Sequence, residues 1–328
     1  MTEGTEKTET GAKRVLGLDT VRALAAFSVC VAHIAGSNIP EPLRYLFTGA
    51  PAVIAFFVVS GFCIHYPYRK RAFDTAPFLA ARAVRILIPS TVAMIVAKPI
   101  GMQGFNFIEG SILWSVTCEF FYYAGYPLFR KITRAIGWPI LTAISFAVSY
   151  AVVLAIGSNK GGAIHIYGWY LNWIVMLPAW LIGATLADQF SITRRFPLVW
   201  LWRGVVAVTA AVLYWATDNT KAGFYLTLNP FAFLIAAWIL AEISAARAKP
   251  IALLEWAGKW SYSLYLVHTI VSYASVVYLH KTSLLFHFPA IFAVTIAFYL
   301  LVEKPSHQLA KRVFKTLSQP LPRLSTQP

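Results

Sequence analysis

Charge is scarce in this chain. Only 12% of its 328 residues are charged, and just 13 are acids. A soluble domain carries about twice that share, so the composition excludes an ordinary water-facing globule. Cysteine is scarce too. Cys30, Cys63 and Cys118 are an odd number, each lies in an apolar run, and none has a metal-ligand spacing. That excludes a disulfide frame and reads as reduced, packed thiols. The basic-then-apolar order of a signal peptide is missing as well. Residues 1–13 are Thr- and Glu-rich and read as a disordered cytoplasmic tail. No histidine pair shows an HxxxH-type spacing, so no metal is expected.

What fills the chain instead is apolar: 58% of residues are hydrophobic and 15% aromatic, with a mean hydropathy of +0.63. The bilayer is the implied solvent. A helix needs about 20 apolar residues to cross the hydrocarbon core. Ten stretches qualify: Leu18–Ala35, Ala50–Tyr66, Phe78–Ala97, Ile112–Phe129, Trp138–Ile156, Tyr167–Ala187, Leu198–Thr217, Phe224–Ile243, Trp260–Leu279 and Leu284–Val302. The fold class is therefore all-α, a polytopic membrane bundle of about ten transmembrane helices. Pro89 is expected to kink the third span.

A net charge of +15 invites a nucleic-acid partner, but the basic residues fall in short clusters between apolar runs and form no stripe with interleaved aromatics. They read as orientation signals, and no nucleic acid is expected. With the N-terminus inside, only Arg44, Lys98, Lys160, Lys221 and Lys281 of the 28 basic residues face outward. The other 23 face the cytoplasm, which places both termini there. The domain reading is a membrane domain over residues 14–305 and a basic, solvated cytoplasmic tether over 306–328.

Ionisable residues inside spans cost several kcal/mol on insertion scales, so each asks for a reason. Asp19, Arg22 and His33 share the first span. At 100° per residue Arg22 and His33 lie about 20° apart on one face, and roughly 16 Å apart along the axis. Asp19 lies about 40° from His33 on the same stripe. A bland reading pairs Asp19 with Arg22 and lets His33 bond a neighbouring helix; a functional one makes His33 a proton-exchanging group in an apolar setting. Arg82 and Arg85, at i and i+3, suit either a phosphate clamp or interfacial snorkelling. Glu119 sits amid Trp114, Phe120, Phe121, Tyr122 and Tyr123 and needs a partner or a proton. Ser261, Tyr265 and His268 share a face that suits interhelical packing. Glu303, next to Lys304, reads as a structural ion pair. His65, His165, His280, His287 and His307 fall at span ends or in loops and read as solvated.

The segment LDTVRALAAFSVCVAHI resembles the opening of the acyltransferase-3 family of membrane acyltransferases, with its LDxLRxxA and its arginine followed after ten residues by histidine. Further matches follow in order: FFVVSGFCI (Phe56–Ile64), RAVRILIP (Arg82–Pro89), WSVTCEFFYYAGYPLF (Trp114–Phe129), SYSLYLVH (Ser261–His268) and VEKP (Val302–Pro305). Together they span nearly the whole chain. The resemblance implies transfer of an acyl group, acetyl above all, from cytoplasmic acyl-CoA to a hydroxyl of a saccharide or glycoconjugate. It implies His33 as the catalytic histidine, acting as a base or carrying the acyl group, with Glu119 tuning it. Arg22, Arg82 and Arg85 would hold the acyl-CoA donor. Asp19, Ser60, Tyr122 and His268, each inside a matching segment, are expected to support them. The family's usual double acid is here Glu119 followed by Phe120. Two other readings fit the same residues: acylation of a small natural product from the cytoplasmic side, and a proton-coupled transporter.

Overall fold

The computed structural model describes residues 15–35, 39–40, 45, 47–108, 113–157, 167–191, 196–220, 223–280 and 283–318. The N-terminal tail, Arg44, Lys160, Lys221 and Lys281, which are expected to face outward, and His165 all lie outside the described residues. Among the described residues ten long helices occupy the positions of the ten predicted spans. They are α1 (Leu18–Ala35), α2 (Gly49–His65), α3 (Thr75–Ala97), α4 (Trp114–Ile136) and α5 (Trp138–Ile156). The chain continues through α6 (Gly168–Gln189), α7 (Val199–Asn219), α8 (Phe224–Ala248), a short α9 (Ala252–Gly258), α10 (Ser261–Leu279) and α11 (Leu284–Phe298). A π-helical turn, Tyr299–Glu303, joins α11 to α12 (Lys304–Leu317). Eight stretches among the described residues are long and apolar enough to cross a membrane. The two remaining predicted spans, α1 and α4, carry the ionisable and tyrosine-rich sets instead.

Pro89 lies inside α3, which continues through it to Ala97. Between α4 and α5 the break is sharp because Gly137 adopts φ +81°, a conformation open to glycine, and Pro139 starts the next helix.

The centre of the bundle is the α2–α6 pair. A Cβ on Gly61 would strike the Trp180 carbonyl oxygen, and one on Gly183 the Val58 carbonyl oxygen. Two glycines thus let the backbones touch, as small residues do where helices pack in lipid. Of the α2 stretch 72% is buried, against 6% for α7, which separates core from periphery. Exposed Trp200, Leu201, Val208, Val212 and Trp215 give α7 a lipid-facing surface. It is held to α8 by a bidentate pair, Arg203 donating to Glu242 at 2.6 and 2.9 Å.

Candidate active site

Helix α1 is fixed at its start by a carboxylate from far along the chain. Glu255 of α9 accepts the Gly17 N–H at 3.0 Å, the Thr20 N–H at 3.2 Å and the Thr20 hydroxyl at 2.7 Å. These are orphan donors of the first turn. Gly258 packs so closely that a Cβ there would strike the Asp19 carbonyl oxygen. A second carboxylate does the same for α10. Glu303, delivered by the π-helical turn, accepts both the N–H and the hydroxyl of Ser263. Glu303 is thus a cap, because the bulge turns it inward, 2% exposed, and its other oxygen lies 3.6 Å from His307 Nε2, while the neighbouring Lys304 stays exposed.

With both helix starts pinned, α1, α2, α3, α4, α10 and α12 surround a cavity of about 470 Å³. Arg22, Arg82, Arg85 and Glu119 all line it, as do Asp19 and Ser60. Arg22 donates to Asp19 Oδ1 at 2.9 Å and to Cys63 Sγ at 3.3 Å. The Asp19–Arg22 pairing read from the sequence is present. Arg82 also stands 5.6 Å from the Phe78 ring centre. Lys259, Lys304 and Lys311 add three more cations to the wall. The segment from Ser306, expected as a tether, is instead helical through Leu317 and packs on α3. Its Lys304, His307, Gln308 and Lys311 fall on one helix face and line the cavity.

Glu119 is tied into a directed hydrogen-bond chain. Trp180 Nε1–H donates to Ser60 Oγ at 3.2 Å, Ser60 meets Tyr123 Oη at 3.1 Å, and Tyr123 donates to Glu119. The carboxylate accepts at one end and the indole donates at the other, so the Ser60 proton points toward Tyr123. Ser60 thus links Trp180 to Tyr123 at the cavity wall. The tyrosine beside the acid is Tyr123, not Tyr122. Tyr122 is fully buried away from the cavity, donates to the Trp173 carbonyl at 3.1 Å, and packs on Phe57 and Trp180. The i, i+4 spacing from Glu119 to Tyr123 was the available signal.

His33 does not line the cavity. It lies exposed near the far end of α1, and its Nδ1 meets Nε2 of His268 at 3.0 Å. His268 is fully buried, with Nδ1 2.9 Å from the Leu264 carbonyl oxygen. Between cavity and histidines stands Tyr265, a lining residue hydrogen-bonded to Ser115 at 2.7 Å, with its ring centre 6.1 Å from that of His268. Two histidines expected in solvent are buried: His287, and His65, which meets Tyr126 at 3.0 Å and Asp188 at 3.2 Å. His307 is half-buried. Among the described residues the three thiols are free, Cys30 and Cys118 buried and Cys63 half-buried at the cavity.

A cation-lined cavity whose wall residue Tyr265 adjoins the buried partner of His33 fits what the sequence motifs imply, and the family match agrees. Residues 15–304 match the family model described as an acyltransferase domain, and the chain belongs to the acyltransferase-3 family. It is similar to acyltransferase MdmB of Streptomyces mycarofaciens, at 25% identity over 79% of this chain and 79% of that protein. No solved structure matches it.

Proposed function

We propose that this integral-membrane acyltransferase takes its acyl group, acetyl first of all, from cytoplasmic acyl-CoA and transfers it to a hydroxyl of a saccharide or glycoconjugate. The carrying observation is that Arg22 of α1 and Arg82 and Arg85 of α3 line one cavity whose wall residue Tyr265 adjoins the His33–His268 pair. Guanidinium and ammonium groups gathered at a cavity suit the phosphates of the donor through charge-assisted bonds. The roughly 16 Å of α1 between Arg22 and His33 suits an extended thioester arm. To reach His33 the arm has to pass Tyr265, a lining residue bonded to Ser115.

His33, exposed at the other end of α1, is open to an acceptor hydroxyl. Its lone pair takes the hydroxyl proton as the oxygen attacks the acyl carbon. The carbon–sulfur bond then breaks, and the departing thiolate recovers the proton from the imidazolium. Glu119, polarised through Tyr123 and Ser60, orients the donor end. The asymmetry of basic residues, together with Lys259 between α9 and α10 and Lys304 and Lys311 of α12 at the same cavity, supports a cytoplasmic position for both termini and for the donor.

The test is direct. Membranes holding the protein, supplied with radiolabelled acetyl-CoA, should release free coenzyme A thiol and move label into a base-labile ester on a hydroxyl acceptor. If neither thiol nor ester appears with acyl donors of any chain length, the acyl-CoA reading fails.

A further inference from the structure

The bond between His33 and His268 has a direction that the positions of its atoms determine. A carbonyl oxygen can only accept, so the 2.9 Å contact with Leu264 O requires the His268 proton on Nδ1. In a neutral ring that leaves Nε2 of His268 with a lone pair. The 3.0 Å contact from Nε2 to His33 Nδ1 is then a bond donated by His33. His33 consequently carries its proton on Nδ1, and its Nε2 is a bare acceptor. That nitrogen borders Gly49 at the start of α2, where even an added Cβ would remain 3.8 Å away. The glycine leaves the basic edge of the ring uncovered. Burial separates the two roles: His268 is fully enclosed and cannot meet an acceptor, whereas His33 is exposed.

We propose that His268 is the positioning residue of the transfer reaction, holding His33 in the tautomer whose Nε2 lone pair faces the acceptor hydroxyl. This rests on the reading of His33 as the base. Without His268 only the Val29 backbone contact remains, among the described residues, to hold the ring, and rotation or a proton on Nε2 removes the base from the reacting position. The aligned chain from His33 through His268 to Leu264 also polarises each bond in the same sense, which favours a proton arriving on Nε2. When it arrives, the positive charge remains hydrogen-bonded to His268 Nε2 until the thiolate takes the proton away. No proton has to leave the pair.

Nitrogen-15 spectra of histidine-labelled protein in nanodiscs test the pairing without any activity. The His33 signals are identified by their loss in His33→Gln. The expected spectrum has a protonated Nδ1 and an unprotonated Nε2 on His33; a proton on Nε2 overturns the proposal. Kinetics test the consequence. His268→Leu should lower kcat about 10²-fold, the lower end of what base catalysis contributes, with the donor KM unchanged. His268→Gln, whose amide oxygen can accept from His33, should recover most of that loss. Equal turnover per folded molecule for the Leu and Gln variants overturns the positioning role. If His33→Gln instead keeps its turnover, the base reading fails, and the nitrogen spectra still decide the pairing separately.

Discussion

The α2–α6 seam and the cavity beside it are built from the same helix, α2, on opposite principles. On the seam side Gly61 and Gly183 bring backbone against backbone, and Trp180 and Val58 leave no room for a methyl group. On the cavity side Ser60 and Cys63 of α2 hydrogen-bond Tyr123 and Arg22, and with Glu119 these groups line open space. One face gains its stability from backbone contact, and the other ties polar groups together around a cavity. The difference teaches where substitutions act: at the seam they should change how much protein folds, and at the cavity and its histidines how fast it works.

The largest expected effect is at His33. His33→Ala should cut turnover by about 10²–10⁴-fold while yield holds, because the exposed side chain fills no core space. His33→Gln keeps a hydrogen bond but cannot exchange the proton, and should fail as well. Near-normal turnover by the Gln variant would move His33 to the structural side of the comparison. Next come Arg82→Ala and Arg85→Ala. Each removes a charge-assisted contact worth about 1.5–3 kcal/mol, read as a rise in the apparent KM for the acyl donor with folded yield unchanged. An unaltered KM in both would leave them as orientation signals.

The seam supplies the converse. Gly61→Ala drives a methyl group into the Trp180 carbonyl and should cost about 1–3 kcal/mol through overpacking. A lower thermal midpoint in detergent with normal turnover per folded molecule is the expected pattern; a loss of rate alone would contradict it. The smallest effects separate two adjacent tyrosines. Removing either hydroxyl costs about 0.5–1.5 kcal/mol. Tyr123→Phe should appear in kcat, because its hydroxyl bonds Glu119, and Tyr122→Phe in the thermal midpoint, because its hydroxyl bonds Trp173. Indistinguishable profiles would place Glu119 outside the reaction.

The helices were legible because bilayer thickness sets one length scale and hydropathy reports it. The shared stripe of Arg22 and His33 was legible because α-helical periodicity is local. Local periodicity also points from Glu119 to Tyr123 at i+4, the contact the structure contains, rather than to the adjacent Tyr122. Other features have no local signature. Glu255 caps a helix 235 residues earlier, and His33 finds His268 across the same separation; neither partner marks the other in sequence. The role of α12 was hidden for a different reason. KPSHQLAKRVFKTL is basic enough to resemble a solvated tail, and only its packing on α3 reveals which face Lys304, His307 and Lys311 present. His65 and His287 were misread as solvated because helix ends near a membrane surface can still be covered by neighbouring helices.

The cap that Glu255 places on α1 also has a consequence in time. The first helix enters the bilayer early, with Asp19 and Arg22 aboard and its leading N–H groups unclaimed. Synthesis runs at about 5–20 residues per second, so the carboxylate that claims them arrives roughly 10–50 seconds later. His33 waits as long for His268. During that interval the most polar span of the protein must be kept from wrong partners by lipid headgroups, by insertion machinery, or by the Asp19–Arg22 pair itself. Mutations in α9 or α10 can therefore injure the active centre before it exists, by leaving α1 unclaimed in the nascent membrane protein.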